Sequence, residues 1–135
     1  MNIDSLKRIK ANCLETFNPM HDLNKLKLWL EAISLTTRVY ELTKNFPQEE
    51  KYGLISQLRR AAVSIASNIA EGAGRNSDKE FIHFLAISNG SAYELQTQLI
   101  ISKNLKLTGE NINSDLDRID KIQKMNYSLQ QSLKS

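Results

Sequence analysis

Residues 52–75 read YGLISQLRRAAVSIASNIAEGAGR, and this stretch decides the fold. From Leu54 its apolar side chains recur as Leu54, Ile55, Leu58, Ala61, Ala62, Ile65 and Ile69, the i, i+3, i+4, i+7 spacing of one helical face. A strand would alternate with period two and would end sooner, since strands run about 3–10 residues. Gly72 or Gly74 suits the left-handed residue that closes many helices.

Working outward, three more segments carry the same period. Between Leu26 and Leu42 the series is Leu26, Trp29, Leu30, Ile33 and Tyr40, with Leu35, Val39 and Leu42 widening the face. From Phe81 it is Phe81, Phe84, Leu85, the small Ser88 and Ala92, then Leu95 and Leu99. The last runs Ile112, Leu116, Ile119, Ile122, Met125, Leu129 and Leu133. Ser77-Asp78-Lys79-Glu80 reads as a capping box, with Glu80 reaching back to the Ser77 amide. Asn111 or Asn113 can cap the last helix. Polar breaks at 18–21, 45–53, 72–77 and 107–113 separate the segments. Four helices of about 20 residues with short connections predict an all-α, antiparallel up-and-down four-helix bundle over residues 20–135.

Residues 1–19 form a separate extension. Ile3, Leu6, Ile9, Cys13 and Phe17 predict one further short amphipathic helix, closed by Asn18-Pro19. Either it packs on the bundle, or Met20 is the working start. The chain of 135 residues suits one domain. No apolar run reaches the ~18–20 residues needed to span a bilayer, and no signal-peptide core is present, so a cytoplasmic protein is expected. A single cysteine excludes an intramolecular disulfide and a thiolate zinc cage.

The net charge of +3 lies in one place: residues 51–75 carry +3, while 1–20 carry +1, 21–50 carry −1, and the remainder balances. Lys51, Arg59, Arg60 and Arg75 supply it against Glu71 alone. The same helix holds a polar stripe, Arg60, Ser64, Ser67 with Asn68, and Glu71, and the next holds Ser91, Glu94 and Gln98. Two readings of these residues stay open. Arg60, Ser64, Asn68, Glu71 and Glu94 form a buried or intersubunit network in which Arg59 or Arg60 satisfies Glu71 or Glu94. Alternatively, Arg59, Arg60 and Arg75 meet phosphate oxygens.

Catalytic chemistry is hard to assemble from this sequence, and no enzyme is expected. His21, His83 and Cys13 do not make a nucleophile–base set, and no metal-binding, phosphate-loop or nucleophile-elbow motif occurs. Asp115, Asp117 and Asp120 favour the positive end of the last helix dipole more than a metal. Small helical ribonucleases pair an arginine with a histidine one turn later; here seven residues separate Arg75 from His83. No cofactor is expected.

The run over 52–75, with Ser77, Glu80-Phe81, Phe84-Leu85, Gly90-Ser91, Glu94-Leu95 and Gln98-Leu99, closely resembles the four-helix-bundle family of 23S rRNA intervening-sequence proteins. Members are encoded in extra segments of some bacterial 23S rRNA genes and are often labelled ribosomal protein-like. The family also resembles the accessory variability protein of diversity-generating retroelements, which works beside a reverse transcriptase. The resemblance spans residues 22–133, including Leu26-x-x-Trp29 and Asn45-Phe46-Pro47, and leaves residues 1–19 outside, which favours Met20 as the start. Ala66 stands where the family often has proline, and Ser88-Asn89 replaces a more apolar pair.

The resemblance implies a ring-shaped homo-oligomer, a pentamer, that multiplies the basic surface of one chain. It also implies binding of RNA or other nucleic acid, foremost RNA connected with the intervening segment. Lys51, Arg59, Arg60, Arg75 and Lys79 are the expected nucleic-acid-binding residues, acting on phosphates. Trp29, Phe81 and Phe84 fit the apolar stripes, so no exposed aromatic is expected to stack on bases. The alternative is a scaffold that docks a protein partner such as a polymerase or reverse transcriptase.

Overall fold

The computed structural model describes residues 2–4 and 23–134. Four helices follow one another: α1 (Leu23–Thr43), α2 (Leu54–Ala73), α3 (Asp78–Asn104) and α4 (Asn113–Lys134), with a 3₁₀ turn at Gln48–Glu50. No strand occurs among the described residues. Each helix packs on its two neighbours, α1 against α2 and α4, and α3 against α2 and α4. This is the expected up-and-down four-helix bundle. The short helix expected over the first 19 residues lies, apart from residues 2–4, outside the described residues.

Polar contacts show that neighbours run antiparallel. Arg38, Ser34 and Glu31 of α1 meet Asp115, Arg118 and Lys121 of α4, so partners descend one helix as they ascend the other. Between α1 and α2, Thr36 Oγ1 donates to the Ala62 carbonyl at 3.0 Å. Between α2 and α3, Ser88 Oγ donates to the Ile65 carbonyl at 2.8 Å. Asn126 Nδ2 closes the α3–α4 seam on the Leu85 carbonyl at 3.0 Å. Ser88 and Asn126 are buried, so each of these bonds satisfies a group that would otherwise be costly inside the protein.

The core is aliphatic, with Leu28, Leu35, Leu58, Ile65, Leu85, Leu95, Ile119 and Ile122 fully enclosed. For α2 the expected face is the buried one. For α1 it holds in part: the expected Leu35, Val39 and Leu42 are buried together with Leu28 and Ala32, whereas Leu30, Ile33 and Tyr40 are exposed. The helix has two apolar stripes, and the contacts of Thr36 with α2 and Arg38 with α4 set its rotation so that the first faces inward.

Two expected helix ends form differently. Neither Gly72 nor Gly74 is left-handed; Gly74 has φ −82°. Gly72 serves packing instead, because a Cβ there would lie 2.7 Å from Phe84 Cβ. The Ser77 hydroxyl accepts from the Glu80 amide at 3.2 Å as expected, but the Glu80 carboxylate meets that hydroxyl instead of the Ser77 amide. Asn111 Oδ1 accepts from the Asn113 amide at 2.8 Å, starting α4. At the end of α3 the Lys106 amide bonds to the Lys103 carbonyl and the Leu107 amide to Ser102, with Lys106 at φ 60°. That is a Schellman closure carrying lysine where glycine is usual.

Candidate nucleic-acid interface

The five cations singled out from sequence do not form one patch. Lys51 and Arg59 lie at the end of the bundle where α1 joins α2, and Arg75 and Lys79 lie at the opposite end. Arg59 and Arg75 are separated by roughly 24 Å at ~1.5 Å of rise per residue. Arg60 sits between them on the exposed face of α2.

Their commitments differ. Arg59 Nε donates to the buried Thr43 hydroxyl at 2.9 Å and its Cζ stands 4.5 Å over the Tyr40 ring. These partners are neutral, so the guanidinium is fixed in place and its charge is not cancelled. Arg75 pairs with Glu71 at 3.0 Å and stands 4.7 Å over the Phe84 ring. Its charge is locally balanced. Arg60 makes no ion pair or side-chain hydrogen bond among the described residues, and neither does Lys79. Lys79 shares an open cleft of about 530 Å³ with Arg75, Glu80, Ile82, His83 and Phe84. His83 packs edge-on against Phe84, ring centroids 5.5 Å apart.

The expected polar network forms in pieces. Ser64 Oγ and Ser91 Oγ are 2.9 Å apart, and Asn68 Nδ2 donates to Ser64 Oγ at 3.0 Å. Glu94 accepts instead from Gln98 Nε2 at 3.1 Å, and Gln98 also reaches Gln57 at 3.4 Å. Glu71 is taken by Arg75. Neither Arg59 nor Arg60 satisfies Glu71 or Glu94, because Arg59 turns toward α1 and Arg60 points outward. The buried Gln98 Oε1 has no partner among the described residues.

Sequence reasoning missed a two-pronged ion pair between α1 and α4. Arg38 Nε donates to Asp115 Oδ1 at 2.9 Å, Nη2 to Oδ2 at 3.2 Å, and Nη2 also meets Glu110. Asp115 is buried. Its hydrogen bond, and then that of Glu110, push Arg38 above the ordinary arginine range. Only the spacing of Arg38 on α1 would have hinted at this, and only with α4 already placed.

Lysines and aromatics at the α1–α2 end were missed too. The α2–α3 contact of Gln57 with Gln98 puts the C-terminus of α3 at that same end. Exposed Lys44, Lys51, Lys103 and Lys106 therefore share it with Arg59. The acids there are engaged in part: Glu110 and Asp115 by Arg38, Glu50 by the Leu54 amide at 3.4 Å. Glu41, Glu49 and Asp117 remain, all exposed. Contrary to expectation, exposed aromatics exist: Tyr52 is 88% exposed, Tyr127 61% and Tyr93 56%.

Among the described residues the chain is a four-helix bundle with no group of acidic, histidine or cysteine side chains able to hold a metal. The chain matches the 23S rRNA-intervening sequence protein family over residues 24–128, most of its length, and belongs to that family. No curated protein matches it. No described helix is long and apolar enough to cross a membrane.

Proposed function

We propose that this protein is a non-enzymatic, oligomeric RNA-binding protein of the cytoplasm, acting on RNA connected with the 23S rRNA intervening segment through phosphate contacts. The observation that carries the reading is the set of cations that make no ion pair among the described residues, Lys51, Arg59, Arg60 and Lys79, with Arg75 balanced by Glu71. Phosphate contacts of this type give affinity with little sequence preference. The family's printed description, which ties it to 23S rRNA, supports RNA as the ligand.

Assembly is part of the proposal. Leu30 is 57% exposed, and Ile33 and Val63 are also exposed on the outer α1–α2 seam. Thr36 contacts Ala62 one residue away from Val63, so the three form a stripe that one chain leaves in water. A homopentameric ring would cover it and repeat the cations around a band. A scaffold docking a polymerase or reverse transcriptase is the second reading, favoured by the same stripe.

The test is charge reversal on the intact oligomer. Lys51→Glu, Arg60→Glu and Lys79→Glu should each weaken binding to a labelled intervening-segment RNA and lower the magnitude of its salt slope by about one. Affinity unchanged in all three would overturn the RNA reading and leave the scaffold.

A further inference from the structure

The α1–α2 connection displays a largely exposed aromatic ring. Tyr52, at 88% exposed, is more open than any other exposed large hydrophobic side chain of the described residues. The segment beneath it is built, not loose. Phe46 is buried, the Glu50 amide bonds to the Pro47 carbonyl at 2.9 Å, and Lys51 and Gly53 continue the series at 3.0 and 3.1 Å. The backbone that carries the ring is thus hydrogen-bonded along its length. Lys51 Nζ stands 5.5 Å from its centroid, on one face, which leaves the other face to solvent.

A second observation lies at the same end. Lys106 is the one described non-glycine residue with positive φ, at 60°, in the position of the α3 closure where glycine fits without strain. The chain keeps a lysine there at a conformational cost. It shares this end of the bundle with Lys44, Lys51 and Lys103, none of which makes an ion pair among the described residues, and with the exposed carboxylates Glu41, Glu49 and Asp117.

A ring beside cations on a polar rim is the chemistry that binds unpaired nucleotides: the base stacks on the ring and the cations meet flanking phosphates. A protein partner would ask for a wider apolar surface around the anchor. Directly beside Tyr52, the exposed Pro47, Gln48, Glu49 and Lys51 do not offer one; the exposed Ile101 and Leu105 of α3 lie at the same end of the bundle.

We propose that the α1–α2 end of the bundle is a binding site for unpaired RNA nucleotides, with Tyr52 as the stacking face and Lys44, Lys51, Lys103 and Lys106 as phosphate contacts. This rests on the RNA-binding reading and narrows it from phosphate attraction to single-stranded segments.

The experiment measures binding of the full chain to a labelled 20-nucleotide single-stranded RNA and to a duplex of equal length, for wild type, Tyr52→Ala, Tyr52→Phe and Lys106→Glu. Tyr52→Ala should lose about tenfold on the single strand and little on the duplex, and Tyr52→Phe should retain wild-type affinity. Lys106→Glu should weaken both. Wild-type affinity in Tyr52→Ala, or equal loss on both RNAs, would overturn the stacking site. If the lysine variant still weakens binding in that case, the RNA-binding reading stands without it. No binding of either RNA by wild type would overturn both.

Discussion

Arg38 and Asp115 form a two-pronged ion pair across the α1–α4 seam, with Nε to Oδ1 at 2.9 Å and Nη2 to Oδ2 at 3.2 Å. Asp115 lies in the first turn of α4, so the pair fixes where that helix begins relative to the middle of α1. Removing one partner leaves the other poorly solvated. Arg38→Ala and Asp115→Ala should each cost about 2–3 kcal/mol in denaturant unfolding. Arg38→Met with Asp115→Leu should recover much of that loss, because two apolar groups of similar size carry no orphaned charge. A double variant as unstable as the worse single would contradict this account.

Gly72 and Gly90 make opposite expectations. A Cβ at Gly72 would meet Phe84 Cβ at 2.7 Å and Phe81 Cδ1 at 3.1 Å, whereas at Gly90 it would meet nothing within 4 Å. Gly72→Ala should destabilise by about 1–2 kcal/mol through overpacking, despite the better helix former. Gly90→Ala should stabilise by about 0.5–1 kcal/mol. Thermal melts of the two variants read both signs, and a shared sign would contradict the packing described for Gly72.

Lys106→Gly separates stability from binding. Glycine takes φ 60° freely, so the variant should gain about 1 kcal/mol. Losing one phosphate contact should weaken RNA binding and reduce the salt slope by about one. A variant more stable and equally tight would remove Lys106 from the binding surface.

Ile33→Glu addresses assembly. The side chain is exposed in one chain, so the bundle should fold with its helical signal unchanged. A charge in the stripe should lower the solution mass toward that of a single chain. An unchanged mass would move the subunit contact elsewhere.

Helical periodicity made the architecture readable, because every element repeats its apolar residues at one spacing and the connections are short. It did not orient α1. That helix has two apolar stripes, and the choice between them belongs to Thr36 and Arg38, whose partners lie on other helices. Gly72 looked like a helix terminator because a glycine near a segment end has that local meaning; its actual role depends on Phe84, which arrives from α3. The basic residues were legible as a group, but their commitments were not. Arg59 and Arg60 are adjacent in sequence and 100° apart on the helix, which sends one to Thr43 and the other to solvent. Tyr52 escaped notice because exposure in a turn has no periodic signature.

The most direct measurement of the central claim is binding of the purified protein to a labelled intervening-segment RNA across a salt series, with solution mass determined on the same samples. The account expects the logarithm of affinity to fall linearly with the logarithm of salt, with a slope that requires several phosphates neutralised at once by a species of several subunits. No binding at low salt, with the oligomer intact, would contradict it and assign these cations to protein contacts.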